Sequence, residues 1–154
     1  MNREIAGDEG HRRFLLVRTG SVSCALPTSN VVRVVRQLRC HPVPGSRSHL
    51  VGLAQYGGDP LPVLDLHVLV QGDPSNTRHS STVILGPGQE RGHSVLGLAV
   101  DEVVRVVSLP RGDSADSDSD FVAERVKVKG EEVRVLNTIK LLREERADSG
   151  ADDG

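Results

Sequence analysis

The sequence predicts an all-β fold, a barrel or sandwich built from two pseudo-equivalent halves. Apolar residues recur with a period of two across short, valine-rich runs. Clusters of Gly, Pro, Asn and Asp separate those runs. The chain also repeats itself. Val31-Val-Arg-Val-Val35 returns unchanged as Val103-Val-Arg-Val-Val107, 72 residues on.

The elements follow in order. Phe14-Leu-Leu-Val17 is a short apolar run, and Val22, Cys24 and Leu26 alternate with Ser21, Ser23 and Ala25. That alternation places Cys24 on the core face as a small hydrophobe. Val31 to Val35 is rich in β-branched residues, which favour a pleated surface. Leu61-Pro-Val-Leu64 reads as a strand, and its Pro62 predicts a sheet edge. Thr82 to Leu85, Val95 to Val100, Val103 to Val107, Val126 to Lys129 and Val133 to Val135 complete a set of about ten short strands. Two short helices are expected, Leu66 to Val70 behind Asp65 and Thr138 to Arg143 behind Asn137. Asp65 and Asn137 are the N-caps, because their side-chain oxygens accept the orphan N–H groups of a first turn.

The repeat is more than one match. Gly58-Asp-Pro-Leu-Pro-Val-Leu-Asp65 returns in outline as Gly130-Glu-Glu-Val-Arg-Val-Leu-Asn137, and Gly20 and Leu26 map onto Gly92 and Leu98 at the same offset. Each half is a strand set followed by a capped helix. Halves this small are marginal alone and should pack on one another. Residues 13–143 form this paired unit. Residues 1–12 and the acidic stretch 144–154 lack the apolar groups that offset chain entropy and are expected to be disordered tails. Pro110 to Asp120, acidic and Ser-rich, reads as a long exposed loop.

Composition excludes several functions. Among 154 residues, 19 bases against 21 acids leave a formal charge of -2, which argues against nucleic acid as a partner. Aromatics at 2% leave no base-stacking platform. No apolar run is long enough for a spanning helix, and the first residues do not read as a signal peptide. Two cysteines, Cys24 and Cys40, give no disulfide framework, so the cytosol is the expected compartment.

The search for chemistry is mostly negative. Gly92-His-Ser-Val-Leu-Gly97 nearly forms a nucleophile elbow at Ser94, but Leu96 occupies the position that needs a small residue. This is the one feature that favours a hydrolase or small-ligand protein, the remote alternative. The six histidines (His11, His41, His49, His67, His79 and His93) show no metal-ligand spacing, and no cofactor is expected. Asp116-x-Asp118-x-Asp120 imitates the start of a calcium loop but continues with Phe121 and Lys127 where Gly and Glu belong. Arg111-Gly-Asp113 reads as a coincidental tripeptide, and Gly86-Pro-Gly88 lacks the Lys of a phosphate loop.

Several pieces resemble the CheW family of chemotaxis coupling proteins. They are Pro42-Val-Pro-Gly45, Val51-Gly-Leu53, Leu61-Pro-Val-Leu-Asp-Leu66, Gly97-Leu-Ala-Val-Asp101 with Val103 to Val107, and Val135-Leu-Asn-Thr-Ile-Lys-Leu-Leu142, in order from about Arg13 to Arg143. The resemblance implies two five-stranded SH3-like barrels related by a pseudo-twofold. It implies a non-enzymatic adaptor that couples methyl-accepting chemoreceptor tips to the regulatory domain of a CheA-type histidine kinase, without inserting into the membrane. It places partner contact on Val31, Arg33, Val34, Gly57, Gly58, Gly97 and Val100. Two positions depart from the family pattern. The usual Asn-Leu-Arg-Gly turn is Gln55-Tyr56-Gly57-Gly58, and the usual acid of the Val-x-Glu-Val segment is Arg33. Strand alternation would put Val31, Arg33 and Val35 on one face and Val32 and Val34 on the other. A divergent regulator that has lost receptor coupling is therefore the alternative reading.

Overall fold

The structure is a computed structural model and describes residues 12–73, 79–87, 95–114 and 121–144. Residues 1–11, 115–120 and 145–154 lie outside the described residues, as does Ser94 with its Gly92–His93 approach. The expectations for the calcium-loop imitation and for most of both tails therefore fall outside them as well.

Among the described residues the strands are β1 (Arg12–Thr19), β2 (Val22–Pro27), β3 (Val31–Arg36), β4 (Leu50–Tyr56), β5 (Asp59–Asp65), β6 (Ser81–Leu85), β7 (Leu96–Val100), β8 (Glu102–Leu109), β9 (Asp113–Ser114), β10 (Val122–Val128) and β11 (Glu131–Leu136). A single 3-10 turn, Thr28–Asn30, precedes β3, helix α1 (Leu66–Gln71) follows β5, and helix α2 spans residues 138–144. The strands form two sheets, ordered β8-β1-β2-β11-β10-β9 and β3-β6-β7-β5-β4.

The repeat explains both orders. At the 72-residue offset β2, β3, β4 and β5 become β7, β8, β10 and β11, and β6 stands in the place of β1 at an offset of 68, so the two sheets share one strand order apart from β9. The parallel pairs obey the offset too: Val63 lies opposite Gly97 in one sheet, and Val135 opposite Ala25 in the other. Each sheet therefore takes two central strands from the opposite half. β1 and β2 serve the sheet of β8 to β11, and β6 and β7 serve the sheet of β3 to β5. The first sheet counts six strands only because β9 is long enough to be a strand. Its counterpart is a single bridge, His41 to Leu53, which matches the Asp113–Arg125 pair at the same offset.

Burial follows from the exchange. Leu15, Val17, Cys24 and Leu26 from one sheet meet Val83, Leu85, Leu96, Leu98 and Val100 from the other in a shared central core. The opposite faces of the same strands fill the two barrels. Phe14 and Ala25 pack with Val126, Val133 and Val135, while Ile84 and Ala99 pack with Ala54, Leu61 and Val63. Cys24 is fully buried, as the alternation predicts, and burial pushes its thiol pKa up to about 12. Both helices add to the shared core, through Leu66, Leu69 and Val70 and through Leu141. Asp65 Oδ1 accepts from the N–H groups of His67 (2.8 Å) and Val68 (3.3 Å), and Asn137 Oδ1 accepts from Lys140 N–H (3.1 Å), so both caps act as expected.

Four expectations need correction. Pro62 does not mark an edge, since β5 lies between β7 and β4. Its missing donor costs nothing there. The opposing Leu53 turns its N–H and C=O to His41 (2.9 and 2.8 Å), and β7 pairs only from Val63 onward. Arg12 is no part of a disordered tail, for it opens β1 and makes a two-bonded ion pair with Glu124, each bond 2.8 Å. The stretch from Pro110 is not all loop, because Asp113–Ser114 pair with β10. Gly112 N–H also donates to Glu124 at 3.0 Å, so the Arg111-Gly-Asp113 tripeptide is held against the barrel. Finally, β3 does not alternate cleanly. A bulge between Val31 and Arg33 shifts its register against β6.

One buried polar junction ties the halves together. Thr138 Oγ1 donates to Asn30 Oδ1 (2.7 Å), and Asn30 Nδ2 donates to Gly86 O (2.9 Å). Both side chains are nearly inaccessible. Asn30→Ala strands the Thr138 hydroxyl and the Gly86 carbonyl, and is expected to cost about 1–3 kcal/mol in urea unfolding, with the slope of the transition unchanged.

Candidate functional site

The bulge in β3 decides what the candidate surface looks like. With Val31 opposite Leu85 and Arg33 opposite Ile84, Val32 is the extra residue. Val32 is 54% exposed and Val34 40%, and Arg33 between them is exposed as well. Three consecutive side chains thus reach solvent, which a regular strand would not allow. Val31 instead packs against the shared core and Val35 against the core of its barrel. Among the described residues β3 is the terminal strand of its sheet, and its outer backbone edge has no strand neighbour there.

Gly57 and Gly58 form the two-residue turn between β4 and β5, at φ 62° and 88°. Both central residues of this hairpin turn adopt positive φ, which Gly does without steric cost. No atom stands within 4 Å of where a side chain would begin at Gly57. The equivalent turn of the first barrel is Lys129-Gly130, where Lys129 holds φ 52°. A side chain at position 57 therefore has room but carries the cost of the left-handed region, a cost Lys129 already bears in the equivalent turn. β4 lies at the far end of the sheet from β3, so Gly57 and Arg33 occupy opposite edges. Val35 and Tyr56 nevertheless pack on one cluster between them.

Gly97 and Val100 do not belong to this surface. Both are buried within β7. A Cβ on Gly97 would lie 2.9 Å from Thr82 Cγ2 and 3.2 Å from Leu61 and Val63 side chains. Its counterpart in the first barrel is Ala25, also fully buried. Each barrel admits only a minimal side chain at this point of its innermost strand, so the role of Gly97 is packing.

A second cluster escaped the sequence reading. Asp65, besides capping α1, places Oδ2 3.1 Å from His79 Nε2, and His79 Nδ1 lies 3.4 Å from Asp101 Oδ1. Asp101 Oδ2 in turn accepts from Gly20 N–H at 2.6 Å, and Asp101 N–H donates to Arg18 O at 3.0 Å. The cluster thus joins the end of β5, the start of β6, the β7–β8 turn and the β1–β2 turn, and it crosses between the sheets. The hydrogen bond to Asp65 raises the His79 pKa, against burial and with help from the charges of both aspartates. Burial pulls the Asp65 carboxyl upward. The His79 bond and charge and the two helix N–H groups outweigh it and leave the carboxyl below its usual range. No motif announces this cluster, because its members are separated by 14 and 22 residues or more. Among the described residues no group of three His, Cys, Asp or Glu side chains is arranged to hold a metal.

The family model of the CheW-like domain matches residues 13–146. The chain belongs to this family. Protein FrzA of Myxococcus xanthus is 26% identical over 143 residues, covering 88% of this chain and 88% of its own. The crystal structure of the scaffolding protein TtCheW from Thermoanaerobacter tengcongensis superposes with a TM-score of 0.68 at 19% identity. That match covers 82% of this chain and 88% of TtCheW, and it bears on the fold. The two SH3-like barrels and their two short helices are thus the architecture of a CheW-like domain. Within that frame, Arg33 stands exposed at an uncovered edge and Gly57 ends a hairpin with no side chain. Arg33 and Gly57 are thus both accessible positions of this CheW-like domain. No helix among the described residues is long and apolar enough to cross a membrane.

Two outcomes follow from this geometry. Gly97→Val forces Thr82, Leu61 and Val63 apart and is expected to cost about 1–3 kcal/mol or more in chemical denaturation, with Ala25→Val behaving alike. For His79 the sign is fixed by the raised pKa. Its stabilisation is full below the unfolded value of 6.5 and disappears as pH rises through the higher folded value. The lowered Asp65 pKa acts at the other end, its share being lost only as pH falls below the usual 3.8. The melting temperature should therefore fall as pH rises above 6.5 and through the raised His79 pKa, and His79→Gln should flatten that slope in a calorimetric pH series.

Proposed function

We propose that this CheW-like domain is a non-catalytic adaptor of a chemosensory pathway, joining chemoreceptor tips to the regulatory domain of a CheA-type histidine kinase. The observation that carries this reading is one exposed edge occurring twice. Val34 on β3 and Val106 on β8 stand 72 residues apart, end their sheets, and are 40% and 47% exposed. An adaptor must hold more than one partner. A pseudo-twofold supplies two versions of one docking edge, on opposite barrels. β-branched apolar side chains on an uncovered edge strand favour pairing with another chain over solvent. Family membership and the similarity to FrzA support the chemosensory setting, and TtCheW is itself described as a scaffold. The cytoplasm is the compartment this role requires.

A second reading keeps the kinase and drops the receptor. Arg33 reverses the charge that the family pattern leads one to expect, and a reversed charge at an interface repels the old partner. Under this reading Arg33→Glu combined with Gly57→Arg creates or strengthens receptor binding. Lys129 holds the equivalent turn position at φ 52°, so the added side chain at position 57 has a precedent in this fold at the cost of left-handed backbone strain.

Calorimetry with the regulatory domain of the same organism's CheA-type kinase tests the main reading. A dissociation constant of about 1–100 μM is expected, weakened at least about tenfold by Val106→Asp or Val34→Asp. Heat indistinguishable from dilution at high concentration, with the domain folded, would remove the kinase as partner.

A further inference from the structure

The charge of the chain is sharply divided. From Gly10 to Gly58 there are seven arginines and no carboxylate, whereas from Asp59 onward eighteen acids face eleven bases. The fold sends these charges to different fates. In the sheet of β8 to β11, Arg12 pairs with Glu124 (2.8 Å), Arg18 with Glu131 (3.7 Å), Arg125 with Glu132 (3.5 Å) and Arg134 with Glu132 (3.9 Å). On the other sheet, Arg33 and Arg36 of β3 and Arg39 just beyond it are exposed, and among the described residues they have no carboxylate partner. The strand beside β3 cannot supply one, since β6 reads Ser-Thr-Val-Ile-Leu. The connection through residues 37–49 contains no acid either.

The pseudo-twofold makes this edge stand out. At the 72-residue offset Arg33 becomes Arg105 and Arg39 becomes Arg111, but Arg36 becomes Ser108, Asn30 becomes Glu102 and His41 becomes Asp113. The β8 edge is therefore mixed in charge, while the β3 edge is basic throughout. Between the arginines stand the two valines that the bulge turns outward, Val32 and Val34.

We infer that the β3 edge, with Arg39 beyond it, is the docking face for an acidic protein partner, whose carboxylates pair with Arg33, Arg36 and Arg39 around apolar side chains seated on Val32 and Val34. The inference deepens the adaptor reading and rests on it for the partner's being a protein. Two observations favour a protein over a nucleic acid. The centre of the face is aliphatic, with no aromatic ring on β3 to stack a base, and the whole chain is net negative, which opposes approach to a polyanion. Exposed arginines carry desolvation and entropy costs in any ion pair, so the valines must supply contact area while the charges select the partner. The two barrel edges consequently select different chemistries: an acidic partner at β3 and a mixed one at β8.

The test uses the full chain labelled with nitrogen-15 and three probes: the peptide Glu-Val-Glu-Val-Glu-Val, its Lys-Val analogue and a single-stranded thymidine oligonucleotide. The acidic peptide at millimolar concentration should shift the amides of residues 31–39. Its affinity should fall about tenfold or more between low and high salt, and the shifts should vanish in Arg33→Glu/Arg36→Glu. The milder Arg33→Gln/Arg36→Gln guards against a folding defect, and Arg105→Glu on the opposite edge should change nothing. The inference falls if residues 31–39 do not respond to the acidic peptide. It falls equally if the lysine peptide shifts them as much, or if the oligonucleotide binds there as tightly. The kinase domain separates this inference from the adaptor reading. Kinase binding to a chain whose residues 31–39 stay silent to the acidic peptide overturns the acidic face and leaves the adaptor. A peptide response without kinase binding keeps the face and removes the kinase.

Discussion

The shared core between the two sheets is the constraint on which the rest of the molecule depends. Leu26 and Leu98, equivalent by the repeat and both fully buried, meet in that core from opposite sheets. The strands that carry them must be apolar on both faces, because their other faces close the individual barrels. β2 and β7 show this directly: every residue of β7 is buried, as is every residue of β2 except Pro27. Strand exchange is the topological consequence. Each half places its first two strands in the other's sheet, so neither barrel is complete without both halves. Burying apolar area at roughly 25 cal/mol per Å² then works once for two barrels that would be marginal alone.

The same constraint fixes details at the centre of each barrel. A strand flanked on both sides and covered on both faces leaves little room above it. Ala25 and Gly97 are the two solutions at one pseudo-equivalent point. Polar groups enter only where they are paired. Asn30 and Thr138 satisfy one another at the seam between the halves, and Asp65, His79 and Asp101 form a charged seam where the β1–β2 turn meets the second barrel. A buried polar group without such partners would cost more than it contributes.

Pseudo-symmetry holds inside and fails outside. Leu61, Val63 and Ala54 of one barrel match Val133, Val135 and Val126 of the other, each buried. The exposed edges share Val34 and Val106 yet differ in charge from one to the other. Packing tolerates only a narrow range of volumes, so duplicated cores stay alike. Solvent-facing positions carry no such restraint. That is where two copies of one architecture can acquire two binding preferences.

Much of this was legible in the sequence, and each part for a local reason. The period of two gives strands, Asp65 and Asn137 announce helix starts, and Cys24 between Val22 and Leu26 announces a core face. The 72-residue offset announces a duplicated unit. These depend on residues within a few positions of one another, or on direct repetition. The tertiary structure alone decided what depends on neighbours distant in sequence. Pro62 sits in an inner strand because Leu53 turns to His41. Gly97 and Val100 are buried because β7 lies between strands of the other half. Arg33 is exposed together with both flanking valines because β3 bulges against β6. Asp65 is joined to Asp101 through His79 because segments far apart in sequence converge there. Alternation fixes which side a residue takes along a strand, but only the sheet order fixes whether that side meets a core or water.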